Sequence, residues 1–219
     1  MGFVVGLDTT AAFQIMISQP LVACSILGWM MGDPVTGAMV GAVTQLLWMG
    51  KLPVGAASFP DGNLGSLVAA AIAVHCRNSM GSDGVGVLLA LVVLWGSLTA
   101  WAGGKLIVIK RKIHTKWVPW FGMQAQQGNF SKYSRGHMLV TLWNGGVEAL
   151  SAVVFFLCGV AVIQIIFPAL PARIHQVGSL IPYFLLGMGL VQVLILFRLE
   201  RWVLMAVGLV VGFLFWGIH

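Results

Sequence analysis

Residues 19–61 read QPLVACSILGWMMGDPVTGAMVGAVTQLLWMGKLPVGAASFPD, and a plain lipid-spanning helix is not written this way. The apolar runs are cut by Pro20, Asp33–Pro34, Pro53 and Pro60 and studded with Gly28, Gly32, Gly37, Gly41, Gly50 and Gly55. Polar side chains (Gln19, Asp33, Thr44, Gln45, Ser58 and Asp61) stand at or near those interruptions. Inside a bilayer an unpaired backbone N–H or C=O costs several kcal/mol, so broken helices persist only where protein or a wet cavity surrounds them. Interrupted hydrophobic segments are also where membrane carriers build their binding sites. The functional site is therefore expected in this stretch.

Composition sets the class. Hydrophobic residues make up 59% of the 219 and charged residues 8%, with a mean hydropathy of +0.96. A water-soluble domain carries about 25% charged residues, so this chain has too little polar surface for water on all sides. The long apolar runs favour helices over a barrel, whose strands would show short segments of alternating polarity. The expected fold is an all-α integral membrane protein: a polytopic helical bundle with broken helices or re-entrant hairpins in its N-terminal half. The net charge of +6 raises the question of nucleic-acid binding. Seven of the 12 basic residues, however, lie between Lys105 and Arg135 and connect two apolar runs. The positive-inside rule accounts for that block and places it in the cytoplasm, with lipid headgroup contact as a secondary benefit. No nucleic-acid partner is implied.

Along the chain, Pro20 predicts a bend or break near residues 15–21. Asp33–Pro34 marks a turn, with Asp33 as N-cap and Pro34 as first residue of a helix over 35–49. That helix falls short of the roughly 20 residues a bilayer crossing takes, and Gly37 and Gly41 give it a small-residue face for close packing. A second short apolar segment covers 64–74. Residues 84–104 form the first uninterrupted spanning run, residues 124–136 read as a polar surface loop, and spans follow over 138–170, 177–197 and 202–218. The chain divides into a broken-helix region (1–83), a spanning helix with its basic cytoplasmic connection (84–137) and C-terminal spanning helices (138–219), all within one membrane domain. Without a basic segment before the first apolar residues, no cleaved signal peptide is expected. Cys24, Cys76 and Cys158 show no paired spacing, so neither a disulfide framework nor a zinc site is suggested.

No nucleophile triad, phosphate-cradling loop or metal cluster is visible, and His75, His114, His137, His175 and His219 all fall near predicted segment ends. No catalytic residue, metal or cofactor is expected. Gln45 is the informative polar residue: it lies within TQLLWMG with no capping role, and an amide buried there needs partners. It offers a donor and an acceptor, which suits a sugar hydroxyl, while an interhelical hydrogen bond is the plainer alternative. Gln19, beside Pro20, is a candidate partner, and Trp29 or Trp48 offers a flat face for a sugar ring. Asp61 fits either a helix cap or a cavity mouth. Glu148, near Gly145–Gly146, fits either a membrane-boundary carboxylate or a proton-coupling acid.

The run SQPLVACSILGWMMGDPVTGAMVGAVTQLLWMGKLPVGAASFPDGNLGSLVAAAIAV resembles the membrane IIC subunit of mannose-type (mannose–fructose–sorbose) bacterial phosphotransferase systems. The matching blocks are PLVA…G…GD at Pro20–Asp33, the TGAMVGAVTQLLWMG helix, and VGAA..PD at Val54–Asp61. The resemblance implies a multi-pass protein of the bacterial inner membrane that takes up a hexose or amino sugar by an elevator-type movement. It further implies a IID membrane subunit as partner, a trimeric assembly, and phosphorylation by a separate IIB protein charged by IIA. Gln45, Gln19, Asp61 and Ser58 are then the candidate sugar contacts, with Asp33 and Pro34 belonging to the turn. Family members usually carry arginine where Gln19 stands and glutamate where Gln45 stands. Loss of both charges reads as an ion pair turned into a neutral amide pair, which requires the two glutamines to lie within hydrogen-bonding distance. The rival readings are a non-transporting scaffold or regulatory homologue, and an ion-driven transporter using Glu148.

Overall fold

Two helices too short to cross a bilayer open the core of the structure. The computed structural model describes residues 1–12, 14–50, 60–80, 84–196 and positions 206, 208 and 210, and its regular elements there are all helical. Helix α1 (Gly2–Gly6) runs into a π-helical turn (Leu7–Ala11), and α2 (Pro20–Met30) follows an irregular stretch. Pro20 suits the first helical position, where no intrahelical N–H bond is lost. Gly32, at φ +89°, reverses the chain in a conformation that side chains resist. Helix α3 (Pro34–Trp48) then starts at an Asp33 cap. At 1.5 Å per residue these helices are about 16 and 22 Å long, against a hydrocarbon core of about 30 Å. They form a hairpin inside the membrane domain.

Glycine holds that hairpin closed. A Cβ on Gly28 would sit 2.9 Å from the Gly37 Cα, and one on Gly41 would sit 2.8 Å from the Pro20 carbonyl oxygen. The GAMVG face read from sequence is thus a backbone-to-backbone contact. Helix α4 (Gly62–Met80) covers the hairpin, and Cys24 Sγ donates to the Ser66 carbonyl at 3.3 Å. Leu64, Val68, Ile72 and Cys76 of α4 are fully buried with Val40 and Val43 of α3. The short segment expected over 64–74 is therefore part of a 19-residue helix. At its polar end, with His75 and Arg77, Arg77 reaches back to the hairpin.

Helices α5 (Val85–Gln126) and α6 (Phe130–Ala169) are long antiparallel neighbours. A Cβ on Gly96 of α5 would stand 2.8 Å from the Gly65 carbonyl of α4, and Trp95 Nε1 donates to the Phe155 carbonyl of α6 at 3.0 Å. The expectation of a surface loop over 124–136 is corrected: helix occupies this stretch except for a turn at residues 127–129. Trp120 packs edge-to-face on Phe121, and Phe121 on Tyr133 across the hairpin, at 5.0 and 5.4 Å between centroids. The stretch stays largely exposed, but these ring contacts join the two helices across its turn. The chain closes, among the described residues, with α7 (Ala172–Val177), a 3-10 turn (Gly178–Leu180) and α8 (Ile181–Leu196).

Three helical segments are long and apolar enough to cross a membrane: Val85–Gln126, Phe130–Ala169 and Arg173–Ile195. The expected span over 202–218 lies outside the described residues, apart from isolated positions 206, 208 and 210. The protein is a multi-pass helical membrane protein.

The hairpin contact predicts opposite signs for two like substitutions. Gly37→Ala drives a methyl into the α2 backbone and should lower the melting temperature of the purified protein, with a cost of about 1–3 kcal/mol. Gly122→Ala meets nothing within 4 Å and should be neutral or stabilising, by up to about 1 kcal/mol, through helix propensity. Parallel melting curves in detergent check both.

Candidate functional site

Helix α2 begins inside the membrane domain, and the groups around that beginning form the candidate site. Gln19 is its N-cap residue but makes no side-chain capping bond. The Leu21 N–H, left over at the first turn, instead donates to Gln45 Oε1 of α3 at 3.3 Å. The other half of the same amide, Gln45 Nε2, donates to Gln19 Oε1 at 3.0 Å. Gln45 therefore spans the hairpin, acting as a borrowed cap for α2 and as the partner of Gln19. The separation required of an amide pair is met. Each amide still has hydrogen-bonding capacity beyond this pair, since each carries two donors and two acceptor lone pairs.

Asp8, the sole charge among the first ten residues, organises the approach to this region. Buried at the π-helical turn, its carboxylate accepts from Ile15 N and Ser18 N, each at 2.7 Å. On either side of Ile15, Gln14 (φ 50°) and Met16 (φ 67°) adopt left-handed conformations, which non-glycine residues hold only where surrounding structure fixes them. Thr9 of the same turn accepts from Asn63 Nδ2 at 3.1 Å and so ties it to the start of α4. A lone acid upstream of Gln19–Pro20 was the available signal for Asp8; nothing marked Asn63.

Asp61 is engaged away from the glutamines. Its N–H donates to the Ala100 carbonyl at 2.7 Å, and its Oδ1 caps α4 by accepting from Leu64 N at 3.1 Å. The side chain faces Glu148 within hydrogen-bonding reach, with Lys110 close by. Lys110 Nζ and Glu148 Oε2 are 2.6 Å apart. Asp61, Lys110 and Glu148 are only 7%, 7% and 5% exposed. Lys110 was counted with the basic cytoplasmic connection; the structure corrects this, burying it against Glu148. Glycines make the room: a Cβ on Gly103 would lie 2.9 Å from the Asp61 Cβ, and one on Gly6 would lie 2.7 Å from the Glu148 Cγ. Charged groups at this depth persist because they meet each other rather than lipid.

The remaining candidates separate. Trp48 lies over Gly62 at the start of α4, where a Cβ would come within 2.6 Å of its Cγ. Trp29 is 73% exposed on the far end of α2. Ser58 lies outside the described residues. Asp33 accepts from Thr36 N at 3.0 Å and Thr36 Oγ1 at 2.6 Å, and pairs with Arg77 of α4 at 3.2 Å. Arg77 also donates to Thr36 Oγ1. This cluster clamps the hairpin turn to α4, at the opposite end of α3 from Gln45. Asp33→Ala should therefore destabilise the protein by about 1 kcal/mol, as lost caps do, and Asp33→Ser should recover most of that. Ligand affinity, measured on the same preparations, should be unchanged.

Comparison with known proteins gives a consistent family. A family model described as the PTS system sorbose-specific IIC component matches residues 1–216. The sorbose-specific EIIC component of Klebsiella pneumoniae is 36% identical over 95 residues, 43% of this chain and 32% of that protein. The mannose-specific EIIC component of Escherichia coli strain K12 is 27% identical over 159 residues, 72% of this chain and 56% of that protein. The chain thus spans about a third to just over half the length of these curated relatives. A solved structure described as a membrane protein superposes with a TM-score of 0.68 at 22% identity, covering 97% of this chain and 83% of the other. The cryo-EM structure of the mannose transporter ManYZ with microcin E492 gives 0.60 at 22% identity, covering 96% and 82%. These two structures share the fold, and the family model fixes the relationship: the chain belongs to the sorbose-specific IIC component family of the phosphotransferase system.

Proposed function

We propose that this chain is the sugar-binding permease subunit of a phosphoenolpyruvate-dependent phosphotransferase system, taking a hexose or amino sugar across the bacterial inner membrane. The observation that carries this reading is the Gln19–Gln45 amide pair at the start of α2. It puts neutral donors and acceptors at a helix break inside an otherwise apolar hairpin. A polyol needs such groups, whereas an ion needs charge or converging carbonyls. Ser58 belongs to the same proposed contact set, while Asp61, which caps α4 and faces Glu148, lies apart from the amide pair.

The work divides between chains in this reading. A separate IIB protein, charged by IIA, supplies the phosphoryl group, and this subunit binds and moves the sugar. A IID-like membrane subunit pairs with it, and the pairs assemble as trimers; the likeness to the ManYZ fold supports the pairing. In this reading the sugar is bound in a mobile core that moves, elevator-like, against a scaffold.

The ion-driven alternative asked Glu148 to serve as a coupling acid. Its ion pair with Lys110 instead supports a structural post, because removing one partner strands a buried charge. The permease reading is tested by uptake and sugar phosphorylation in membranes containing this chain, a family IID subunit and the IIA and IIB proteins. Gln45→Leu removes both hydrogen bonds at the break and should weaken sugar affinity by about tenfold or more, the loss expected when a site's polar groups are left unpaired. Phosphoryl-donor-independent uptake, or wild-type affinity in Gln45→Leu, contradicts the proposal.

A further inference from the structure

The chain's net charge of +6 has one address. Residues 84–147 contain no Asp or Glu, and they hold Lys105, Lys110, Arg111, Lys112, Lys116, Lys132 and Arg135. Glu148 neutralises Lys110. The other five basic residues (Lys51, Arg77, Arg173, Arg198 and Arg201) balance the other five acids (Asp8, Asp33, Asp61, Asp83 and Glu200). Seven less one leaves the whole +6 on the α5–α6 hairpin. These helices have 42 and 40 residues, so each is about 60 Å long, twice the hydrocarbon thickness of about 30 Å. Their basic halves extend past the apolar core to headgroup level.

Between those basic halves lies a cavity of about 470 Å³, walled by Trp117, Trp120 and Phe121 of α5 and by Leu139, Val140 and Trp143 of α6. Gly136 opens its floor, since a Cβ there would reach within 2.6 Å of the Trp120 ring. The only hydrogen-bonding atoms its side chains present are ring nitrogens, and His114 Nε2 is buried with no partner among the described residues. A sugar or nucleotide would lose its hydration here for little in return. A hydrocarbon chain would lose nothing. Around the rim, Lys132 lies one helical turn before Gly136 on the same face of α6, and Lys116 and Arg135 flank the two walls; all three are exposed. Aromatic side chains beside cations with no acid among them match a phosphate headgroup joined to an acyl chain.

We infer that this groove is a binding site for an anionic phospholipid, with an acyl chain between Trp117, Trp120 and Trp143 and the phosphate held by Lys116, Lys132 and Arg135. The lipid would fix the register of the two long helices by filling the space between them. The site is separate from the Gln19–Gln45 pair and does not depend on which substrate the protein moves.

The test uses the full-length protein in nanodiscs of phosphatidylcholine, alone or mixed with phosphatidylglycerol, with native mass spectrometry reading retained lipid. Phosphatidylglycerol should be retained over phosphatidylcholine, less so as ionic strength rises, and inorganic phosphate should not displace it. Lys116→Gln, Lys132→Gln and Arg135→Gln should each reduce retention about fivefold. Val140→Trp, which fills the groove, should abolish retention in a protein that melts like the wild type. Equal retention of the two lipids, salt-independent retention, displacement by inorganic phosphate, or undiminished retention in the charge variants overturns the inference. So does a family partner subunit that excludes phosphatidylglycerol from the groove on assembly.

Discussion

A helix that starts inside a membrane domain begins with N–H groups that its own ladder cannot satisfy, and hydrocarbon offers no water in exchange. Everything distinctive in the N-terminal half follows from meeting that constraint. Pro20 removes one donor outright, and Gln45 accepts the next, from Leu21, across the hairpin. Gln45 can reach because glycine brings the two helices together, with Gly28 on Gly37 and Gly41 on the Pro20 carbonyl. A residue one carbon larger at those positions would hold the helices apart and move the amide out of range. Close packing and polar satisfaction are here one requirement, and the amide pair is a product of both.

The same economy governs the charges. Lys110 and Glu148 come from separate long helices, and Asp61 joins them from the start of α4. Glycines at 6 and 103 leave the volume these side chains occupy. One electrostatic cluster thus pins α4, α5 and α6 at a common level, while the Asp33–Thr36–Arg77 cluster pins the hairpin turn to the other end of α4. The broken helices are held at both ends by polar contacts and along their length by glycine, which lets a short, interrupted element keep a defined place.

What could be read from the sequence was what is local. Asp33–Pro34 announces a cap and a turn within four residues, and the glycine spacing of GAMVG announces a close face. Gln45 declared itself because an amide in an apolar helix must have a partner, and Gln19 was the nearby complement. The features that escaped depend on contacts between distant segments. Lys110 sits in a basic run that reads as cytoplasmic, and only Glu148, 38 residues on, explains its burial. Residues 124–136 are polar enough to read as a loop, yet they continue two helices that meet through Phe121 on Tyr133 and Trp120 beside Gly136. Asp8 controls Ile15 and Ser18 through left-handed backbone at Gln14 and Met16, for which the sequence offers no glycine as a clue.

The central claim is that Gln45 completes the start of α2 from the opposite arm of the hairpin. The most direct measurement is residue-specific amide hydrogen exchange at Leu21, followed by solid-state NMR on the protein in lipid bilayers. The account predicts a protected Leu21 amide in the wild type that exchanges about tenfold or more faster in Gln45→Leu, as loss of its one bond implies, while the Thr36 amide at the other cap stays unchanged. Equal Leu21 exchange in the two proteins would show that the amide finds its partner elsewhere, and the description of the site would then be wrong.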